Sequence, residues 1–132
     1  MSEEFKLDIV NPEKLFVSKN DVLEVVAPSL EGEMGILKNH ISIISFLKPG
    51  IIKVYSKSEE NKYFVEDGIV EFKDNNLSIL TSSIFSISNL DKNKIDQLLK
   101  EAEKDSIDEK INDQRRYLIE QKIDVLKSLS LN

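Results

Sequence analysis

Residues 63–80, YFVEDGIVEFKDNNLSIL, decide the fold of this chain. Three short apolar runs in this stretch are separated by Asp67-Gly68 and by Asp74-Asn75-Asn76, which are residue types that favour tight turns. The stretch is therefore predicted to form a meander of three strands.

Turn residues recur at similarly short intervals from Phe5 to about Leu90, which is typical of a small all-β sandwich. The runs between them alternate, so that Phe5, Leu7 and Ile9 share one face of a predicted strand, as do Ile52 and Val54 of another. Residues 22–26 and 41–44 are rich in β-branched side chains and are predicted to lie deeper. The other predicted turns are at Asn11-Pro12, Asn20-Asp21, Gly32 to Gly35, Pro49-Gly50 and residues 59–61.

The hydrophobic period changes after Leu90, where apolar residues recur at helical spacing. Asp91 is placed to cap the first predicted helix, whose apolar stripe is Ile95, Leu98, Leu99 and Ala102. The chain is therefore predicted to consist of a β domain, residues 1–89, and a helical domain, residues 90–132.

A second helix is predicted to begin at Ser106, because Glu109 three residues later completes a capping-box pattern. Only Lys104 and Asp105 would then separate the helices, which predicts an antiparallel hairpin. Two helices have too little core to stand alone, so the hairpin must pack on the β domain or on another chain. The predicted apolar stripe of the second helix is Ile107, Ile111, Leu118, Val125, Leu126 and Leu129.

Composition excludes several classes of function for the 132-residue chain. The net charge of -6 opposes nucleic-acid binding through phosphate neutralisation, and the lack of cysteine excludes thiolate chemistry. His40 is the single histidine, so a zinc site built from several imidazoles is excluded. No apolar run approaches the ~18 residues of a membrane span, and the acidic start does not resemble a signal peptide. We expect no membrane insertion and a cytosol-like compartment.

Catalytic motifs are also missing from the sequence. It contains neither a Gly-Lys-Ser/Thr phosphate loop nor a Gly-x-Ser-x-Gly nucleophile elbow. Carboxylate pairs such as Glu59-Glu60 fall in predicted turns, where solvation explains them. An enzyme with an active site of its own is therefore not expected.

Two glycine-containing segments carry a family resemblance: residues 26–40, VAPSLEGEMGILKNH, and residues 47–52, LKPGII. In this order, ahead of a helical hairpin, they resemble the epsilon subunit of F-type ATP synthases, whose mitochondrial equivalent is called delta. The resemblance extends over the whole chain. It implies a flattened β-sandwich of about ten strands followed by a C-terminal antiparallel two-helix hairpin.

The resemblance also implies a role. Such subunits sit with the gamma subunit at the foot of the rotor, touch the ring of c subunits, and couple rotation of this c-ring to the catalytic alpha and beta subunits. Their hairpin can fold against the sandwich or extend and restrain ATP hydrolysis. The implied protein is non-catalytic and peripheral on the cytoplasmic side of the bacterial inner membrane.

The resemblance assigns the loop with Glu33 and His40 to the c-ring. From the residues alone, His40 is more readily explained as a surface side chain that satisfies a turn. Gly32 and Gly35 are predicted to support the loop through positive φ or close backbone approach. Their spacing also has the outline of a KH-domain loop, but the flanking acidic Glu31 and Glu33 would repel a nucleic-acid backbone.

The only two arginines of the chain, Arg115 and Arg116, stand together on the second predicted helix. As a bare pair they are expected to be solvated or to pair with Asp108, Asp113 and Glu120. In an extended hairpin, their charges could instead meet acidic surfaces of the beta subunit.

Residues 90–95, LDKNKI, occupy the place of the motif Ile/Leu-Asp-x-x-Arg-Ala through which some bacterial members bind ATP. Asp91 matches, but Lys94 stands in place of the arginine and Ile95 in place of the alanine. Lysine lacks the planar fork that binds phosphate through two bonds. ATP is therefore a possible regulatory ligand that we do not expect to bind, and no cofactor is expected.

Two other readings stay open. One is a free-standing nucleotide or small-molecule binding module, with its ligand between sandwich and hairpin. The other is a soluble scaffold unrelated to the synthase, which would be a stable monomer without a gamma partner.

Overall fold

The computed structural model describes residues 3–131; Met1, Ser2 and Asn132 lie outside the described part. In that part the chain forms nine strands, a short 3₁₀ helix at Ile87–Asn89, and two α-helices, α1 (Lys92–Ser106) and α2 (Asp113–Ser130). The strands are β1 (Phe5–Val10), β2 (Leu15–Ser29), β3 (Gly32–Leu37), β4 (Ile43–Leu47), β5 (Gly50–Ser56), β6 (Glu60–Val65), β7 (Gly68–Lys73), β8 (Asn76–Leu80) and β9 (Ile84–Ser86). The predicted β-sandwich followed by a helical hairpin is confirmed, with nine described strands against the expected ten or so.

The strands form two layers joined by the long strand β2. One layer has the order β1-β8-β7-β4, in which β1 and β8 are parallel and the other pairs antiparallel. The first half of β2 pairs with β1. Its second half belongs to the other layer, which has the strand order β3-β2-β5-β6-β9. Since β2 belongs to both layers, it fixes their relative position.

The sandwich core is built from the inward faces of these strands. Phe5, Leu7 and Ile9 are at most 3% exposed, and Ile52 and Val54 are fully buried, so the predicted alternation is confirmed. The predicted meander of three strands is wrong in part: the strands form as β6, β7 and β8, but only β7 and β8 pair, while β6 pairs with β5 and β9 in the other layer. Its second turn places both Asp74 and Asn75 at positive φ, which these residue types tolerate.

The prediction that residues 41–44 lie deep is wrong for most of the segment, since only Ile43 packs partly buried against the core. Ile41 is 77% exposed and Ile44 is 67% exposed. Ile41 precedes β4, and Ile44 projects from the outer face of that strand. β-Branched side chains favour extended backbone, but they do not determine which face of a strand is covered.

Two predicted turns are also wrong. Asn20-Asp21 lies within β2, where the pairing register shifts nearby between Val22 and Glu24. The turn predicted at Gly32 to Gly35 lies instead at Leu30-Glu31, directly before Gly32, where β3 begins. Polar residues and glycines therefore also occur inside paired strands of this sandwich, where they do not mark turns.

The second helix does not begin at Ser106. That residue ends α1, and its hydroxyl donates to the Glu103 carbonyl at 2.7 Å. The cap of α2 is Asn112, whose side chain accepts from the Arg115 amide at 2.7 Å. The helices are therefore joined by six residues, 107–112, and Ile107, predicted in the apolar stripe, is 77% exposed.

The hairpin packs on the sandwich through the outer side of β5 and β6. Phe64 is fully buried there, whereas its neighbours Tyr63 and Val65 belong to the sandwich core. The buried helix residues around Phe64 are Ile95, Leu98, Ala102, Ile119 and Leu126. The hairpin thus covers its apolar stripes on its own chain. The division into a β domain, residues 1–89, and a helical domain, residues 90–132, stays a prediction.

Within residues 3–131, neither helix has the length and apolar character needed to cross a bilayer.

Candidate functional site

Glu33 and His40, predicted to share a loop, lie towards opposite ends of β3. Glu33 is an exposed residue near the start of that strand, in register with Pro28 of β2. His40 follows the end of β3, where its Nδ1 lies 2.7 Å from the Ile41 carbonyl oxygen. Its ring meets the edge of the Phe72 ring at 5.9 Å between centroids. The two side chains therefore present two separate contact points rather than one.

The loop that carries His40 is fixed by a pair of asparagines, which the sequence analysis did not identify. Asn39, at a φ of 67°, donates its amide to Asn75 Oδ1 at 2.7 Å. In return, Asn75 Nδ2 donates to Asn39 Oδ1 at 3.1 Å. These bonds hold the β3–β4 loop against the β7–β8 turn, so this end of the sandwich presents a defined surface.

The two glycines predicted to support this region differ. Gly32 has a φ of 130°, as expected, because it comes directly out of the Leu30-Glu31 turn. For Gly35 the prediction is wrong, since it lies inside β3 without a positive φ. A Cβ there would come no closer than 3.6 Å to Glu24, which is ordinary contact.

An apolar row crosses the outer face of the four strands β1-β8-β7-β4 and continues onto the start of β2. Strand pairing places its members directly side by side: Leu15 opposite Val10, Val10 opposite Leu80, Leu80 opposite Ile69, and Ile69 opposite Phe46. Leu15, Leu80, Ile69 and Phe46 are between 42% and 57% exposed. With about 4.8 Å between strands, the apolar row is about 19 Å long. Contiguous exposed apolar side chains of this kind mark an interaction surface.

An open cavity and several acidic side chains lie beside the apolar row. A cavity of about 700 Å³ lies along it, lined among others by Pro12, Phe46 and Leu80. At its edge the Asp67 carboxylate accepts from the Ser82 amide at 3.1 Å and hydroxyl at 2.8 Å, so it is held in place. The next row on the same face contains Asp8 and Glu71, both in register with Ser78.

Asp91 and Lys94, the candidate nucleotide residues, are both engaged. The Asp91 side chain accepts from the Lys94 amide at 2.8 Å, which confirms that it caps α1. The Lys94 ammonium lies 5.5 Å from the centroid of the Phe85 ring, a distance suited to a cation–π contact. The arrangement satisfies both side chains without a ligand.

The two arginines have different surroundings. Among residues 3–131, Arg116 bonds to backbone carbonyls rather than to a carboxylate: its Nη1 donates to the Ser106 carbonyl at 2.5 Å, and its Nη2 donates to the Asp108 carbonyl at 3.2 Å. Arg115 is exposed and lines a small crevice with Glu66 and Lys122. Lys122 and Glu66 form an ion pair at 2.5 Å that links α2 to the end of β6.

Titration is shifted at two groups for structural reasons. Burial raises the pKa of the Tyr63 phenol, whose ring faces the sandwich core. A hydrogen bond to Glu4 raises the pKa of Lys57, which is exposed. Neither group belongs to the candidate residues.

The donor set of the described residues does not assemble a metal site, since no three histidine, aspartate or glutamate side chains there are grouped closely enough to hold an ion.

Comparison with known proteins places these features in a family. Residues 4–87 match the family model described as "ATP synthase, Delta/Epsilon chain, beta-sandwich domain". The ATP synthase epsilon chain of Pelagibacter ubique (strain HTCC1062) is 69% identical over 130 residues, covering 98% of this chain and 100% of the relative. The epsilon chain of Parvibaculum lavamentivorans is 36% identical over 130 residues, covering 98% and 97%.

Solved structures share the fold at lower identity. A chain of the Euglena gracilis mitochondrial ATP synthase, OSCP/F1/c-ring, matches with a TM-score of 0.76 at 21% identity, covering 99% of this chain and 82% of the other. A chain of the Tetrahymena thermophila mitochondrial ATP synthase, central stalk/c-ring, matches with a TM-score of 0.66 at 15% identity, covering 98% of each. With the family model spanning most of the sandwich and relatives matching nearly end to end, this chain belongs to the family of ATP synthase epsilon chains.

Proposed function

We propose that this chain is a central-stalk subunit of an F-type ATP synthase. In this role the sandwich binds the gamma subunit and the c-ring and turns with them, while the α1–α2 hairpin restrains ATP hydrolysis by the alpha and beta subunits. The protein is then a non-catalytic part of the complex, held peripherally at the cytoplasmic side of the bacterial inner membrane. Family membership supports the proposal, and the apolar row is the observation on this chain that carries it.

The apolar row is the proposed gamma-binding surface. Four of its side chains are about half exposed, and such contiguous apolar area gains free energy when a partner covers it. Asp8 and Glu71 beside the row favour a partner that brings basic side chains to its rim. Since the row lies on paired strands, it is preorganised for binding.

Glu33 and His40 are the proposed c-ring contacts. Gly32 supports the start of β3 beside Glu33, and the Asn39–Asn75 pair supports the loop that carries His40. Neither contact belongs to the apolar row. One subunit can therefore hold two partners at once.

The hairpin is the proposed brake. In the folded arrangement, it is attached to the sandwich by the cluster around Phe64 and by the Lys122–Glu66 pair. Arg115 is exposed on α2 and is available to meet acidic surfaces of the beta subunit once the hairpin extends.

A free-standing module with its ligand between sandwich and hairpin has weaker support. The crevice between sandwich and hairpin that contains Arg115 and Lys122 holds only about 100 Å³. A second cavity, beside Leu90 and Leu129, holds about 250 Å³. Sites for nucleotide-sized ligands usually measure roughly 300–1,000 Å³.

Replacing Phe46 by serine tests the gamma-binding surface. Phe46→Ser should weaken binding to the isolated gamma subunit at least about tenfold, because a large aromatic at the centre of an interface carries much of its energy. Leu37→Ser is the matched control, since Leu37 is 56% exposed and Phe46 57%, and Leu37 lies on β3 outside the row. Equal affinities for the two variants, measured by titration, would contradict the assignment.

Replacing Glu33 or His40 by alanine tests the c-ring contact. Each change should lower the fraction of c-ring that co-purifies with the gamma complex. Glu33→Ala should leave the free energy of unfolding within about 1 kcal/mol, as exposed substitutions usually do. Glu103→Ala removes an exposed carboxylate on α1 and serves as the control. Undiminished c-ring recovery with both variants would show that the contact lies elsewhere.

Ending the chain after Leu90 tests the brake. The sandwich core is formed by strand residues alone, so the shortened protein should fold and bind gamma as tightly as the full chain does. ATP hydrolysis by the reconstituted synthase should rise. An unchanged hydrolysis rate would remove the brake from the proposal, and an unfolded product would show that Phe64 needs the helices.

ATP should bind weakly or not at all to the isolated protein. The Asp91 carboxylate is bonded to the Lys94 amide and would repel a phosphate, and the Lys94 ammonium lies over Phe85. Calorimetric titration with ATP should give a dissociation constant weaker than about 0.1 mM, equivalent to about -5.5 kcal/mol. Binding in the low micromolar range would overturn this expectation.

A further inference from the structure

The break between α1 and α2 occurs without a helix breaker. Residues 107–112, IDEKIN, contain neither glycine nor proline. None of them has a positive φ, although helices very commonly end on a glycine in that conformation. The covalent structure of this segment therefore permits a helix that runs straight on from α1 into α2.

Side chains hold the break by occupying the groups that a continuous helix would need. In such a helix, the Lys110 amide would donate to the Ser106 carbonyl. Here that carbonyl accepts instead from Arg116 Nη1 at 2.5 Å, and the Lys110 amide donates to Asp108 Oδ1 at 2.9 Å. Arg116 Nη2 likewise bonds the Asp108 carbonyl, at 3.2 Å, which would otherwise accept from the Asn112 amide.

We infer that Arg116 is the latch that keeps residues 107–112 out of the helix. When its guanidinium leaves the Ser106 and Asp108 carbonyls, the segment becomes helical and α1 and α2 join into one helix. This inference rests on the proposed function, in which the hairpin extends toward the alpha and beta subunits. From Lys92 to Ser130 the joined helix would be about 57 Å long.

The joined helix needs a partner. In the hairpin Leu98, Ile119 and Leu126 are at most 6% exposed, and unfolding the hairpin would return them to water. The isolated protein therefore keeps its hairpin folded. The latch shifts the equilibrium between folded hairpin and joined helix only in the assembled synthase, where neighbouring subunits can cover these side chains.

A pair of introduced cysteines distinguishes the two arrangements, and the chain has no native cysteine to interfere. Lys92 and Ser130 line the same cavity of about 250 Å³ in the folded hairpin. A Lys92→Cys, Ser130→Cys protein, assembled into the synthase and oxidised, should form the disulfide only while the hairpin is folded. The fraction left unlinked therefore measures the opened hairpin, and a proline in the linking segment shows whether opening requires a joined helix.

Arg116→Lys keeps the charge but loses the two-pronged contact, so the unlinked fraction should rise roughly tenfold. Gln114→Lys introduces the same side chain at an exposed position two residues away and should leave the fraction unchanged. Adding Glu109→Pro to Arg116→Lys should restore the native value. Glu109 follows Asp108 in a turn closed by the Ile111 amide, where proline is favoured, whereas proline inside a helix breaks it.

Two results would overturn the inference. If Arg116→Lys leaves the unlinked fraction at the native level, Arg116 is not the latch. If the fraction stays high after Glu109→Pro is added, the hairpin opens by separation of two intact helices. ATP hydrolysis, measured on the same samples, reports separately on the proposed brake: a changed unlinked fraction with an unchanged rate would contradict the brake and leave the latch intact.

Discussion

The burial of Phe64 is the contact on which the arrangement of the two parts depends. β6 is covered on both faces: Tyr63 and Val65 enter the sandwich core, while Phe64 projects the other way under the helices and is fully buried. Its ring stacks on Phe85 at 6.5 Å, which brings β9 into the same cluster. If only one face of β6 were apolar, the hairpin would have no apolar surface on the sandwich to pack against. The contact at Phe64 holds α2 close to β6, where the Lys122–Glu66 pair forms.

Local chemistry made much of the sandwich predictable from the sequence. The Asp74-Asn75 turn follows from residues that tolerate positive φ, and the alternation around Leu7 and Ile9 follows from one covered face. The outward direction of Ile44 and Phe46 could not be predicted, because an apolar strand gives no sign of which face a partner will cover. The start of α2 could not be predicted either. The capping pattern at Ser106 is not used, and Arg116 bonds instead to the carbonyls of Ser106 and Asp108, a contact that the local sequence does not reveal.

The candidate surfaces were predictable only in part, for a related reason. His40 was singled out from its sequence context, but the Asn39–Asn75 bonds that fix its loop join residues 36 positions apart. The apolar row is hidden in the sequence in the same way, because its five members come from five strands. Each exposed apolar residue is unremarkable alone, and only the strand register makes them neighbours. Long-range pairing, rather than any motif, creates the proposed gamma-binding surface.

The two proposed tasks of the protein place opposite demands on its structure. A surface that stays bound while a rotor turns must keep its shape, and the apolar row is held by the hydrogen bonds of five paired strands. A brake must change shape at a modest cost in free energy, and the break in the hairpin is held by a few side-chain bonds over a segment that could itself be helical. The hydrogen bonds between paired strands break only when the sandwich itself unfolds. The Arg116 guanidinium, in contrast, can leave its two carbonyls for another partner while the rest of the fold stays intact. The division between sheet and hairpin therefore separates the part that must remain fixed from the part that must move.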